Sequence, residues 1–246
     1  MVYYILFDTE TTGALEEDRV IQFGGMILDQ KGKMEVYDEL CKSEVPIKIE
    51  AMEVHNITPM MLENKPSAKE TNFYRRLEEL NNNSNFLIAH NINFDLEMIK
   101  KEGFVNNLQL IDTLRCARHI YPDLPYHRLQ YLRYALNLYK NEQEEAQKLN
   151  ITIKAHDAIG DVLVMKLFLR ELVAKTREVY PNYNPMKKLV ELSSTPVFVQ
   201  TFKFGKYKGE KIVDVAQKDA NYLNWMLNNM EDIDEDLKYT LTKVLS

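Results

Sequence analysis

An apolar run, Val2 to Phe7, leads straight into Asp8-Thr9-Glu10-Thr11-Thr12-Gly13. No other stretch restricts the fold as tightly. A short run of β-branched and aromatic residues, closed by a polar cluster, predicts a buried strand with the two acids at its exit. Side chains alternate along a strand, so Asp8 and Glu10 fall on one face. Like charges held that close repel each other. A solvated strand end would tolerate the pair; a site built around a cation would require it.

Further strand patterns follow at Arg19 to Asp29 and Lys33 to Cys41, joined by a Gln-Lys-Gly turn, and at Asn85 to His90 and Leu108 to Asp112. Helical periodicity predicts helices over Ala68–Leu80, Asp95–Glu102, Thr113–Ile120, His127–Leu136 and Asp157–Lys175. The first three strands read as an antiparallel meander, and strands mixed with helices of this length imply a layered α/β domain ending near residue 178. Tyr180 to Pro196 carries three prolines and reads as a linker or surface wrap, residues 179–196 in all. The remaining 50 residues, 197–246, are marginal for a core of their own and end in an acidic helix from Asp234 to Leu245.

Composition narrows the class. Nothing in the 246 residues forms an apolar run of about 18, so no membrane span is expected. The N-terminus has no basic segment followed by a long apolar stretch, so no signal peptide is expected, and the two cysteines, Cys41 and Cys116, have no paired spacing; a reducing cytoplasm is expected. A net charge of −6 argues against a polyanionic partner, unless several of the acids are neutralised by bound cations.

Such acids are present. His90-Asn-Ile-Asn-Phe-Asp95 follows a predicted strand and opens a helix, and His156-Asp-Ala-Ile-Gly-Asp161 opens another. Asp8, Glu10, Asp95 and Asp161 thus come from three separate segments, each near a strand end or helix start. Oxygen-rich sets of this kind suit Mg²⁺ or Mn²⁺. Two such ions about 4 Å apart can hold the attacking and leaving oxygens of a phosphoryl displacement.

These three motifs resemble those of the DEDD superfamily of 3′–5′ exonucleases, in its histidine-bearing (DnaQ-like) branch. The resemblance covers roughly residues 1–175, including the loop Ala51–Thr58. The tyrosine branch would need Tyr four residues before Asp161, where Asp157 stands. The resemblance implies a ribonuclease H-like fold, a mixed five-stranded sheet flanked by helices. It also implies a catalytic set of Asp8, Glu10, Asp95, His156 and Asp161, with the four acids holding two divalent cations, Mg²⁺ or Mn²⁺. Water would attack the terminal phosphodiester, His156 taking its proton as general base, and 5′-mononucleotides would leave. Thr11, Thr12, His55, Asn91 and Phe94 would contact the terminal nucleotides, Phe94 offering a stacking face. Leu15 fits either an apolar wedge against the terminal base or a surface leucine. His90 reads as a structural hydrogen-bonding residue.

Phe204 to Asn229 is similar to the small C-terminal domain of bacterial exodeoxyribonuclease X-like proteins. Its lysine-rich turn, with Lys206, Tyr207 and Lys208, either follows a nucleic-acid strand or is a solvated hairpin, and Tyr222 and Trp225 read as core of that module. The expected partner is nucleic acid, single-stranded DNA or DNA 3′ ends, with no membrane contact and nothing that indicates a polymerase. RNA 3′-end trimming, a proofreading subunit and an inactive nucleic-acid-binding module are the competing readings.

Overall fold

The computed structural model describes residues 1–152 and 157–246. One mixed sheet is built from β1 (Tyr3–Thr11), β2 (Val20–Asp29), β3 (Met34–Leu40), β4 (Phe86–Ala89) and β5 (Gln109–Asp112), in the order β3-β2-β1-β4-β5. The β1–β2 and β2–β3 pairs are antiparallel, and β1–β4 and β4–β5 are parallel. Around it lie α1 (Ile49–His55), α2 (Pro59–Leu62), α3 (Asn72–Glu79), α4 (Ile92–Lys101), α5 (Thr113–Ile120), α6 (Leu129–Ala135), α7 (Tyr139–Leu149) and α8 (Ala158–Val179). After them come α9 (Pro185–Ser194), α10 (Ile212–Lys218), α11 (Ala220–Asn229) and α12 (Glu235–Leu245). This is the α/β architecture that the sequence implies.

β1 is longer than its apolar run. Asp8 pairs with Gly24 and Glu10 with Gln22, so the ladder to β2 carries both acids inside the strand rather than past its exit. A backbone ladder is indifferent to side-chain polarity when one edge of the strand faces a site. On the other side β4 pairs with β1 only from Tyr4 to Leu6. Beyond Leu6 that edge is taken by the start of α4.

Two adjacent glycines let the layers close on β2. A Cβ on Gly24 would lie 2.3 Å from the carbonyl carbon of Ala158, and one on Gly25 would lie 2.3 Å from the Phe73 ring. Gly24 thus admits the N-terminus of α8 on one face, and Gly25 admits α3 on the other. The α8 face buries Leu6, Ile88 and Ile111 with Val162, Phe168 and Leu172. The opposite face buries Ile5, Phe7 and Phe23 with Phe73, Leu77 and Ile99.

The segment that reads as a linker holds helix α9. Pro185 is its first residue and the Asn184 side chain accepts from the Lys187 amide, so a proline that signals a break is here a helix start. Leu189 and Leu192 join the α8-side core, and Ser193 Oγ accepts from the Asp112 amide. The predicted helix over Ala68–Leu80 is divided by Thr71, which caps α3 by accepting from the Tyr74 amide. Phe202, Ile212, Val215, Leu223, Met226 and Leu241 form a separate small core in the C-terminal residues. Cys41 and Cys116 are both buried, and burial pushes each thiol up to about 12.

Candidate active site

Asp8 and Glu10 are half-buried on the face of β1 opposite Thr9 and Thr11, and Asp95 is 3% exposed. Where β4 stops pairing, Thr9 turns its free amide to Asp95, whose Oδ1 accepts from Thr9 N (3.0 Å) and Thr9 Oγ1 (2.7 Å). Asp95 is therefore aimed at β1 by a vacancy in the sheet. Asp161 stands in the first turns of α8, where Gly24 brings that helix down beside Asp8.

The acids feel one another. Burial, then the charges of Asp95, Asp161 and Glu10, hold the Asp8 carboxyl well above the usual carboxylate range. Burial followed by Asp161, Asp95 and Asp157 pushes Glu10 up to about 8. Burial takes Asp95 up to about 7 against the opposing hydrogen bonds from Thr9. Asp95, Asp161 and Glu10 thus lie near enough to Asp8 to act on its charge. Among the described residues no three His, Cys, Asp or Glu side chains stand in metal-holding geometry. An all-carboxylate, mutually repelling set nevertheless fits hard divalent cations, which supply the charge the cluster lacks.

Residues outside the motifs hold these acids in place. Asp161 Oδ1 accepts from Gln130 Nε2 at 2.6 Å, and Gln130 Oε1 in turn accepts from Arg133 Nη1 at 3.1 Å. Arg133 is forked onto the buried Glu142, donating from Nε and Nη2 at 2.5 Å each. Gln22, across the ladder from Glu10, donates to both Asp38 and Asp157, tying the start of α8 to β2. Among the described residues Gln22 Oε1 is one of two buried side-chain atoms without a hydrogen-bond partner. None of these residues stands out in the sequence. Gln130 and Arg133 have only an unremarkable i, i+3 spacing on a predicted helix.

Thr11 and Thr12 are buried, with Thr11 Oγ1 donating to the Gly13 carbonyl and Thr12 Oγ1 to Asp18. Asp18 is fully buried. Burial would raise its pKa, but the bonds from Lys48, the Leu15 amide and Thr12 hold it below the usual range. The loop after β1 is thereby fixed, and it presents Leu15 to solvent at 60% exposure. His55 Nδ1 accepts from the Ile57 amide, so its protonated Nε2 donates to the Thr11 carbonyl at 3.2 Å. Burial lowers the pKa of this ring, and it braces the loop as a neutral imidazole.

Asn91 is exposed in the left-handed region (φ 75°) and Phe94 is half-buried, both in the turn that launches α4. His90 is committed elsewhere: Nε2 donates to the His127 carbonyl, leaving Nδ1 to accept from Thr113. Burial lowers the His90 pKa to about 4. His156 lies outside the described residues. In the C-terminal turn Lys208 is exposed, whereas Tyr207 is buried and donates to Asp219, and Lys206 pairs with the same carboxylate at 2.9 Å. Tyr222 packs against the small core, but Trp225, expected inside it, is 53% exposed.

The Exonuclease family model matches residues 5–168, and the Exodeoxyribonuclease X-like C-terminal model matches residues 202–231. Exodeoxyribonuclease 10 of Escherichia coli (strain K12) is 24% identical over 246 residues, covering 98% of this chain and 97% of that protein. The DNA polymerase III subunit epsilon of Treponema pallidum is 33% identical over 143 residues, covering 55% of this chain and 64% of that protein. The fold is shared with exonuclease X solved in complex with 5′ overhanging duplex DNA. There the TM-score is 0.54 at 19% identity, over 79% of this chain and 100% of that one. It is shared also with E. coli exonuclease I solved with a dA16 oligonucleotide, with a TM-score of 0.54 at 22% identity, over 78% of this chain and 42% of that one. Exonucleases of this family generally use divalent metal ions. Among the described residues no helix is long and apolar enough to cross a membrane. The chain belongs to the exonuclease family.

Proposed function

We propose that this protein is a 3′–5′ exodeoxyribonuclease that works in the cytoplasm on single-stranded DNA or DNA 3′ ends and releases 5′-mononucleotides. The observation that carries the reading is the gathering of Asp8, Glu10, Asp95 and Asp161 around β1, where Asp95, Asp161 and Glu10 all raise the pKa of Asp8. The likeness to exodeoxyribonuclease 10 over nearly the full length of both chains favours DNA over RNA. Residues 1–178 form the exonuclease domain and 197–246 an appended module.

Asp8, Glu10, Asp95 and Asp161 would hold two divalent cations, Mg²⁺ or Mn²⁺. The cations would supply positive charge to the scissile phosphate and lower the pKa of water. Thr9 holds one oxygen of Asp95 and so fixes which edge of that carboxylate faces the strand. Gln130 does the same for Asp161. The loop at Thr11 and Thr12, fixed by Asp18 and His55, offers its backbone to the terminal nucleotide, and Asn91 and Phe94 flank it from α4. His156, five residues before Asp161, takes the proton of the attacking water; an imidazole of ordinary pKa about 6.5 suits that step near neutral pH.

The test is digestion of 5′-labelled single-stranded DNA with Mg²⁺, which should give a ladder shortening from the 3′ end. Asp8→Ala should remove the activity with folding intact; an unchanged ladder would refute the site. An RNA of equal sequence, cut faster than the DNA, would move the substrate class to RNA.

A further inference from the structure

Between the exonuclease domain and the C-terminal residues lies a cleft of about 610 Å³, walled by Arg118, Pro125 and His127 on one side and by Phe198, Lys203 and Phe204 on the other. It begins next to the second acidic motif, since the His127 carbonyl accepts from His90 at 2.9 Å. Its acids are largely committed. Asp236 accepts from Arg115 and Val197 and faces Arg118, while Asp234 caps α12. Among the described residues Lys203 and Lys211 of this cleft, and nearby Lys208, hold no ion pair.

The cleft continues onto an aromatic face. α11 buries Leu223 and Met226 and leaves Trp225 outward, stacked on Tyr222 at 6.1 Å between centroids and 21° between planes. Phe204 is 46% exposed, and the next residue, Gly205 (φ +74°), lies so close that a Cβ on it would be 2.7 Å from Tyr222 Oη. Lys206 sets its ammonium over the rings of Tyr207 and Tyr222, at 4.7 and 5.8 Å. A small core has no need to expose its tryptophan. Protein interfaces are depleted of lysine at their centres, whereas aromatic faces rimmed by lysine suit the bases and phosphates of a single strand.

We infer that this cleft and the Phe204–Tyr222–Trp225 face hold the nucleic-acid strand on the 5′ side of the nucleotides in the active site. The inference rests on the exonuclease reading. It assigns the C-terminal module to grip strand that the site itself is too short to reach.

Trp225 is the single tryptophan of the chain, so its fluorescence reports on this face alone. Without divalent cations, a single-stranded DNA of about 15 nucleotides should quench it saturably and with steep dependence on salt, and one of about three nucleotides should not. Lys203→Glu with Lys208→Glu, both exposed, should weaken binding of the longer strand about tenfold. Tyr222→Ala should likewise raise KM for the longer strand relative to the shorter about tenfold. Fluorescence that stays constant with the longer strand, in protein that degrades the same strand once Mg²⁺ is added, overturns the inference and leaves the exonuclease reading intact. Quenching that ignores salt and both lysine changes overturns it too. Failure of the unmodified protein to degrade any strand counts instead against the exonuclease reading.

Discussion

Asp161 Oδ1 accepts from Gln130, and Gln130 is itself held by Arg133 forked onto Glu142. A carboxylate steadied in this way presents a fixed edge to a cation, and groups behind metal ligands commonly matter by about 10–100-fold. Gln130→Ala should therefore lower kcat/KM by that range and raise the Mg²⁺ concentration needed for half-maximal rate. Gln130→Glu should do worse than Ala, because it adds a fifth negative charge to the cluster. A Gln130→Ala enzyme with an unchanged Mg²⁺ requirement would show that Gln130 does not set the orientation of Asp161.

The same carboxylates give the protein an inverted pH response. Glu10 rises from its ordinary 4.5 to about 8 in the fold, and Asp95 from 3.8 to about 7, each chiefly through burial. Between the unfolded and folded pKa values the folded state binds more protons, so stability falls as pH rises from about 4 to about 8. Divalent cations remove the penalty. Thermal unfolding without metal should show Tm declining over that window, and added Mg²⁺ should raise Tm more at pH 8 than at pH 5. Equal Mg²⁺ stabilisation at both pH values would contradict the assignment.

At the scale of elements, the site depends on how closely α8 approaches β2. A methyl group on Gly24 has no room against Ala158, so Gly24→Ala must lift the start of α8 or bend β2. Overpacking of this kind costs about 1–3 kcal/mol, and an acid misplaced by about 1 Å can cost about 100-fold in rate. Urea unfolding and a rate assay on one preparation should show both losses, with activity falling further than stability explains. This position also marks what was legible in the sequence. The three acidic motifs could be read because each concentrates its chemistry in a few consecutive residues at a strand or helix boundary. The length of β1 could not, since its second half is held by a ladder to β2 rather than by apolar side chains. Helix α9 was obscured because Pro185 serves as its first residue, and only packing against β5, α5 and α8 distinguishes that from a break. Gln130, Arg133 and Glu142 lie on helices of ordinary composition and acquire meaning only across the fold.

For the molecule as a whole, one carboxylate ties the C-terminal residues to helix α5. Asp236 is 5% exposed and accepts from Arg115 Nη2 at 3.0 Å and the Val197 amide at 2.8 Å, with Arg118 Nη1 at 3.6 Å. Arg115 and His119 also reach the Thr195 carbonyl, at 2.8 and 3.1 Å, so helix α5 grips the chain just before the module begins. Removing the acid strands two guanidinium groups and a buried amide. Breaking a buried pair from one side costs about 3–5 kcal/mol, and the partial exposure of Arg118 places Asp236→Ala toward the lower end. The next residue, Leu237, belongs to the small C-terminal core, so the loss should fall on the docking of residues 197–246. Limited proteolysis should then cut near residues 195–203 in Asp236→Ala, leaving a stable N-terminal fragment, and calorimetry should separate one transition into two. Asp236→Asn keeps the acceptor for Val197 while losing the charge, and should lie between Asp236→Ala and the unmodified protein. A single transition at an unchanged Tm in Asp236→Ala would mean that the module is held by its apolar contacts and that the ion pairs only align it.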